Sequence, residues 1–396
     1  MDGGGCVKSN TQQKSIVMLS FREKLAKNYI NFRGWSIKQK YVLIESDDWG
    51  SIRMPSKEVY DFFSSKNIEV NKNNFDRCDS LESKEDLECL FQVLKKFNDK
   101  SGKNPIVTAF SVVGNPDFNK IEANGRKEYV FENVLETYKQ YPQNGDVMAT
   151  IQKGIKDQIY VPQYHGREHI HVKRWMQAIN SDSKKEQLAF AKKAIISSEI
   201  KGSSDIYPHD YFKGFDFYSE DEKCEIENIH LEGLKIFKEI YQMPSVSFVA
   251  QGSVFDDHIL DGLSKMGVSL ISGQQLAPNG QNKYQVVNKY WGQTNKYNQI
   301  IWRRNCSFEP GRMGEFDWVE KCLADMKVAF KWGKPAVISA HRQNFTGGIF
   351  EQNRSNSLLK LNELLSKILK TWPDVKFIST VDLADIMMKG LKISRH

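Results

Sequence analysis

The sequence predicts an α/β fold whose parallel sheet curls toward a distorted (β/α) barrel, and three observations carry that prediction. Short apolar runs alternate with segments of helical periodicity along most of the 396 residues, the pattern of strands joined by crossover helices. There are too many such units for a small open sheet. Acidic and histidine residues arrive directly after several of the apolar runs, and strand ends of this kind build the active face of α/β barrels.

The elements follow in order. Residues 1–20 carry no helical or strand period, so a flexible N-terminus is expected there, with one barrel domain over 21–396. Phe21 to Phe32 reads as a leading helix or arm. Tyr41-Val42-Leu43-Ile44 reads as a buried strand delivering Glu45-Ser46-Asp47-Asp48 at its end. Helices are expected from about Ser56 and from Ser83 to Phe97, the second with Leu87, Leu90, Phe91 and Leu94 on one face. Ile106 to Val113 reads as a strand closed by Gly114-Asn115-Pro116. Helical periodicity returns at Val130 to Tyr138, and Ile159 to Val161 is a strand leading into Gln163-Tyr164-His165. Helices are then expected at Val172 to Ile179, Glu186 to Ile196 and Asp221 to Tyr241. Val246 to Ala250 is another strand. Asp256 to Met266 is a helix stopped by Gly267, with a strand at Val268 to Ile271. The polar stretch from Gly280 to Ile301 reads as a loop excursion or hairpin. A helix at Asp317 to Phe330 precedes the strand Ala336 to Ser339. A helix from Ser355 to Leu369, a strand from Val375 to Ile378 and a helix from Val381 close the chain.

Composition narrows the function. With 40% hydrophobic and 27% charged residues, the chain has a globular balance. The net charge of +7 is spread among acids with no basic run carrying interleaved aromatics, so no nucleic-acid partner is expected. No apolar stretch reaches the roughly 20 residues that span a bilayer. The run Ile16 to Phe21 is too short for a secretory core and meets Arg22, Glu23 and Lys24 at once, so a cytoplasmic location is expected. The six cysteines form no C-x-x-C pair and read as free thiols of a reducing compartment.

Three clusters could carry chemistry. In Glu45-Ser46-Asp47-Asp48-Trp49-Gly50, adjacent carboxylates at a strand end should point to opposite sides. One would bind a metal while the other reaches a reacting atom. A helix cap is the plainer use of such an Asp. In Gln163-Tyr164-His165-Gly166-Arg167-Glu168-His169-Ile170-His171, a helical turn or a tight loop would bring His165 and His169 to one side. Two imidazoles and a carboxylate form a common catalytic metal shell. A polar loop with surface histidines is the plainer reading. In Ser339-Ala340-His341-Arg342, a histidine directly after a buried strand is placed to act as a general acid.

These clusters, in this order, resemble the polysaccharide deacetylase family, carbohydrate esterase family 4. Ser46-Asp47-Asp48, His165-x-x-x-His169 and Ile338-Ser339-Ala340-His341 match its motifs, Asp317-Trp318 stands where that family keeps an Asp-Trp pair, and the resemblance covers roughly residues 40 to 390. It implies a distorted (β/α) barrel and one divalent ion, zinc by default with cobalt, nickel or iron possible. Asp48, His165 and His169 would be its ligands. Asp47 would be the base, His341 the acid and Asp317 a group that tunes it. Trp49, Arg53, His171 and Arg342 would face an acetylated saccharide, the implied substrate. The chain departs from the family at Ser247-Phe248-Val249-Ala250-Gln251-Gly252-Ser253, which lacks the arginine that steadies the base and a tyrosine. Arg53, Arg303, Arg304 and Arg342 are the candidates to replace the arginine. Gly166 stands where the family prefers Ser or Thr.

Two other functions compete. His165-x-x-Glu168-His169 also fits the inverted zinc-peptidase motif, with Glu168 as base. A non-catalytic saccharide-binding protein on the same fold would account for the missing arginine and tyrosine.

Overall fold

The computed structural model describes residues 21–198, 211–278 and 284–392. The flexible start expected over 1–20 lies outside them.

Eight parallel strands follow one another in chain order: β1 (Tyr41–Trp49), β2 (Val107–Val112), β3 (Tyr160–Gly166), β4 (Ser247–Phe248), β5 (Leu270–Ser272), β6 (Ile300–Trp302), β7 (Cys306–Ser307) and β8 (Ala336–His341). They form two hydrogen-bonded arcs, β7-β8-β1-β2-β3 and β4-β5-β6. Every pairing in both arcs is parallel. Lys376–Phe377 adds a short parallel strand at the start of β1. The backbone ladder is interrupted between β3 and β4 and between β6 and β7. A side chain bridges the first break: Gln163 Oε1 accepts from Val246 N at 2.9 Å, Ser247 N at 3.0 Å, Ser247 Oγ at 2.8 Å and Ser245 Oγ at 3.2 Å. The barrel is distorted where the edge groups of β4 meet a side-chain amide instead of a backbone.

The helices form where caps and apolar stripes coincide. Over Lys84–Leu94 the buried residues include Leu87, Leu90, Phe91 and Leu94, and Ser83 with Asp86 makes a capping box, worth about 1 kcal/mol. Ser56 caps Lys57–Ser65. The helices at Phe21–Phe32, Val172–Ile179, Glu220–Tyr241, Trp318–Lys331, Glu351–Thr371 and Thr380–Leu391 stand where periodicity places them. Among the described residues no helix is long and apolar enough to cross a membrane.

Local pattern misleads at a few points. Phe131–Asn133 is not helical but pairs antiparallel with Gly114–Pro116, and the helix begins only at Val134 with Asn133 as its cap. The helix expected to reach Ile196 ends at Ala191, and Lys193 follows at φ 53°. The polar excursion expected over 280–301 holds only one arm of a hairpin, Tyr284–Asn288 against Gln274–Pro278, and its end, Ile300–Ile301, belongs to the parallel strand β6. Helices at Asn74–Cys78, Phe118–Ala123 and Val147–Lys156 have no counterpart in the sequence reading.

Candidate metal centre

A cavity of about 600 Å³ opens at the carboxyl ends of the strands, and Asp47, Asp48, His165, His169, Arg304 and His341 are among the residues that line it. Two irregularities in the sheet aim the residues of the first two clusters. The β1–β2 register slips between Ser46 and Trp49, so Asp47 and Asp48 occupy a bulge. The β2–β3 register slips between Ser111 and Val112, where His165 is the extra residue. A bulge redirects side chains next to the break. Asp48 also takes a left-handed conformation, φ 76°, which is strained for a non-glycine residue. Strict alternation would send the two aspartates to opposite sides; the bulge instead brings both to the cavity.

Asp48 Oδ1 lies 2.9 Å from His169 Nε2 and 3.4 Å from His165 Nε2. One ligand atom from each of the three residues falls within 4.8 Å of the other two, and they are the group among the described residues with metal-ligand spacing. His165 Nδ1 contacts the Val249 carbonyl at 2.9 Å. That carbonyl only accepts, so Nδ1 donates, and Nε2 is the ring atom turned toward Asp48 and open to a metal ion. A carboxylate oxygen and two imidazole nitrogens converging in a buried space are the donor set of a divalent ion. Burial works against the Asp48 carboxylate, yet its histidine neighbours hold its pKa well below the usual range.

The loop that carries His169 is tight rather than helical. Gln251 Nε2 donates to the carbonyls of His165 at 2.9 Å and Glu168 at 2.8 Å. Gly166 has φ 137°, and a Cβ there would stand 2.4 Å from Gln251 Nε2. A side chain at position 166 would collide with this crossing amide.

Asp47 is gripped by Arg304, which donates to its two oxygens at 2.5 and 2.7 Å and to Glu45 Oε2 at 2.6 Å. Glu45 and Asp47 are two apart on β1 and so share a face. Burial raises the pKa of Asp47, but the guanidinium more than offsets this and holds it below its ordinary value. Of the four candidate arginines, Arg304 is the one placed against Asp47. Asp47 and His341 are register partners across β1 and β8. His341 Nδ1 meets Glu309 Oε1 at 2.5 Å, and Asn344 holds the other Glu309 oxygen at 2.8 Å.

Several expected residues fall elsewhere. Asp317 is the cap of Trp318–Lys331, accepting from Glu320 N at 3.0 Å. The carboxylate beside His341 is Glu309, which β7 delivers from the adjacent strand end. Trp49 turns into the core, edge-on to Tyr160 at 5.6 Å with its Nε1 donating to Ser46 Oγ. The bulge that brings in Asp48 sends its neighbour to the other side. His171 caps Val172–Ile179, accepting from Arg174 N at 3.4 Å, and burial keeps its pKa well below the usual value. Arg342 is fully buried and bound to Asp79 and Glu82. Arg53 does line the cavity. Glu168, the base of the peptidase reading, is buried with both oxygens accepting from Arg167 at 2.7 and 2.8 Å, and does not line the cavity.

Sequence reasoning passed over Glu45, Glu309, Phe75 and Phe212. The first two had a signal: Glu45 shares the face of Asp47 at spacing two, and Glu309 ends a short run after Cys306. Phe75 and Phe212 had none.

No family model matches the chain, and no curated protein does. Solved structures to which it is similar include a Mycobacterium smegmatis protein assigned as a polysaccharide deacetylase, at 12% identity and a TM-score of 0.40 over 92% of this chain and 95% of that one. A Pseudomonas aeruginosa PAO1 protein with the same assignment matches at 10% identity and 0.41 over 89% and 92%. PuuE allantoinase matches at 11% and 0.46 over 90% and 92%. At such identities and scores these likenesses carry no argument about activity, which rests on the site itself.

Proposed function

We propose that the chain is a metal-dependent hydrolase that releases acetate from an N- or O-acetylated saccharide, a precursor of a surface polysaccharide. One observation carries the reading: a metal-fitting Asp/His/His set shares a cavity with a carboxylate held ionised by Arg304 and a histidine held protonated by Glu309. Zinc is the default ion for this donor set, with cobalt, nickel and iron compatible. When bound at Asp48, His165 and His169, the ion supplies an acidified water and polarises the acyl oxygen.

The chain's own groups do the rest. Asp47 is the proton acceptor, and the Arg304 fork fixes which way its carboxylate faces. His341 is buried against Glu309, whose charge more than offsets the burial and lifts its pKa to about 10. It therefore carries the proton that the leaving nitrogen or oxygen needs. Phe75 and Phe212 give the cavity aromatic walls.

The test is metal content and acetate release, measured together on wild type and three variants. Asp47→Asn should keep its metal and lose turnover. Asp48→Ala and His169→Ala should lose both. Normal metal content in Asp48→Ala would overturn the ligand assignment. Metal binding without acetate release from any acetylated saccharide would favour the binding-protein reading.

A further inference from the structure

Arg53 is a buried guanidinium that no carboxylate hydrogen-bonds. It is 6% exposed. Among the described residues its ion-pair partner is Asp76 at 3.6 Å, beyond hydrogen-bond reach. Asp76 is itself turned to the backbone N–H of Ser197, at 3.0 and 3.1 Å. The Nε of Arg53 has no partner among the described residues. The other buried arginines differ: Arg167, Arg174, Arg342 and Arg354 each donate to at least one carboxylate. A buried charge without a hydrogen-bonded counter-ion is costly. Where a protein keeps one at the wall of a cavity, a ligand can complete it.

Aromatic rings hold Arg53 in place. Its guanidinium carbon lies 3.6 Å from the centre of Phe212 and 5.4 Å from that of Phe75. A ring against its face leaves the donors in the guanidinium plane free to form a fork. The same rings reach the catalytic groups. Phe212 lies 6.1 Å from the His169 ring, and Phe75 meets His341 edge-on at 5.2 Å. Arg53 is thus one ring's breadth from a metal ligand on one side and from the acid on the other. Arg312 also lines the cavity.

We propose that Arg53 receives an anionic substituent of the substrate, so that the saccharide is an acidic one with a carboxylate or a phosphate ester about one sugar ring from its acetyl group. This rests on the saccharide-hydrolase reading and narrows its substrate class. Carboxylate and phosphate present the same paired oxygens to an arginine fork, and the test separates them.

The probes are methyl N-acetylglucosaminide, N-acetylglucosaminuronic acid and N-acetylglucosamine 6-phosphate, the last two carrying their charge at C6, across the ring from the acetamide. Each is titrated calorimetrically into the metal-loaded full chain, and acetate release is measured in parallel. Wild type should bind at least one anion about tenfold or more tighter than the neutral sugar, and the preferred anion identifies the source. The ratio of anionic to neutral affinity should collapse toward unity in Arg53→Gln and fall severalfold in Arg53→Lys. Arg53→Lys keeps the charge without the fork and decides the matter if the glutamine variant does not fold. Equal binding of all three probes, or an anion preference that survives both substitutions, would overturn the proposal. A kcat loss in Arg53→Gln equal on neutral and anionic sugars would also overturn it. An Arg53-dependent preference without acetate release from any probe would sink the hydrolase reading alone. Acetate release with no anion preference would sink this one alone.

Discussion

At the scale of single residues the site is a set of matched charges. Burial by itself would strip the proton from His341; the Glu309 carboxylate, helped by Asp48 and Asp47, outweighs it and moves the pKa to about 10. The protonated form is populated below that value and lost as pH rises through it. Turnover that depends on His341 as donor should therefore hold through neutral pH and fall above about pH 10. Glu309→Gln removes the charge that raises the pKa, and the alkaline limb should move down by about one unit or more. A pH–rate profile of the two proteins decides this, and superimposable alkaline limbs would break the pairing. Arg304 poses the complementary case. Arg304→Gln releases Asp47 and leaves Glu45 with a lost partner, so kcat should fall about a hundredfold or more while metal content holds. Unchanged kcat in Arg304→Gln would show that Asp47 needs no such support.

At the scale of elements, irregular backbone does the positioning. A uniform β1 would offer the cavity Glu45 and Asp47 and turn Asp48 away; the bulge adds Asp48 without losing Asp47. The seam between β3 and β4 is the second device. There Gln163 stands in for a strand, and through Val249 and Gln251 the neighbouring segment orients His165 and ties down the loop to His169. Gln163→Leu would leave two backbone N–H groups and the Ser247 hydroxyl without their acceptor in the core, while Ser245 Oγ keeps the Ser247 carbonyl at 2.9 Å. The expected cost is roughly 2–4 kcal/mol, read as a lower urea midpoint at unchanged m-value. A loss below about 0.5 kcal/mol would mean that packing, not this amide, holds the seam.

At the scale of the whole molecule, three of the strands that meet the cavity bring their residues from far apart in the chain: β1, β3 and β8. An ion held by Asp48, His165 and His169 ties β1 to β3, so binding it should stabilise the fold by mass action. At a free concentration a hundred times Kd the gain is about 2.7 kcal/mol. Chelation should lower the melting temperature of wild type, and in Asp48→Ala chelator should change nothing. An equal response in both proteins would place the stabilising ion elsewhere.

The sequence by itself determined most of the order of strands and helices, though not β6, β7 or the helices at Asn74–Cys78, Phe118–Ala123 and Val147–Lys156, and it determined the arrival of Asp47, Asp48, His165 and His341 near strand ends and the spacing that lets His165 and His169 share a side. These are properties of neighbouring residues: apolar periodicity, caps such as Ser56 and Ser83, and clusters within a few positions. Only the tertiary structure decided that Arg304 rather than Arg53 or Arg342 steadies Asp47, and that Glu309 rather than Asp317 meets His341. It also decided that Trp49 and His171 turn away while Phe75 and Phe212 face in. Each of these depends on strand register, on a one-residue slip at Asp47–Asp48 or His165, and on contacts between segments far apart in the chain. A slip of one residue reverses the face that a side chain occupies, and local composition carries no record of where such a slip falls.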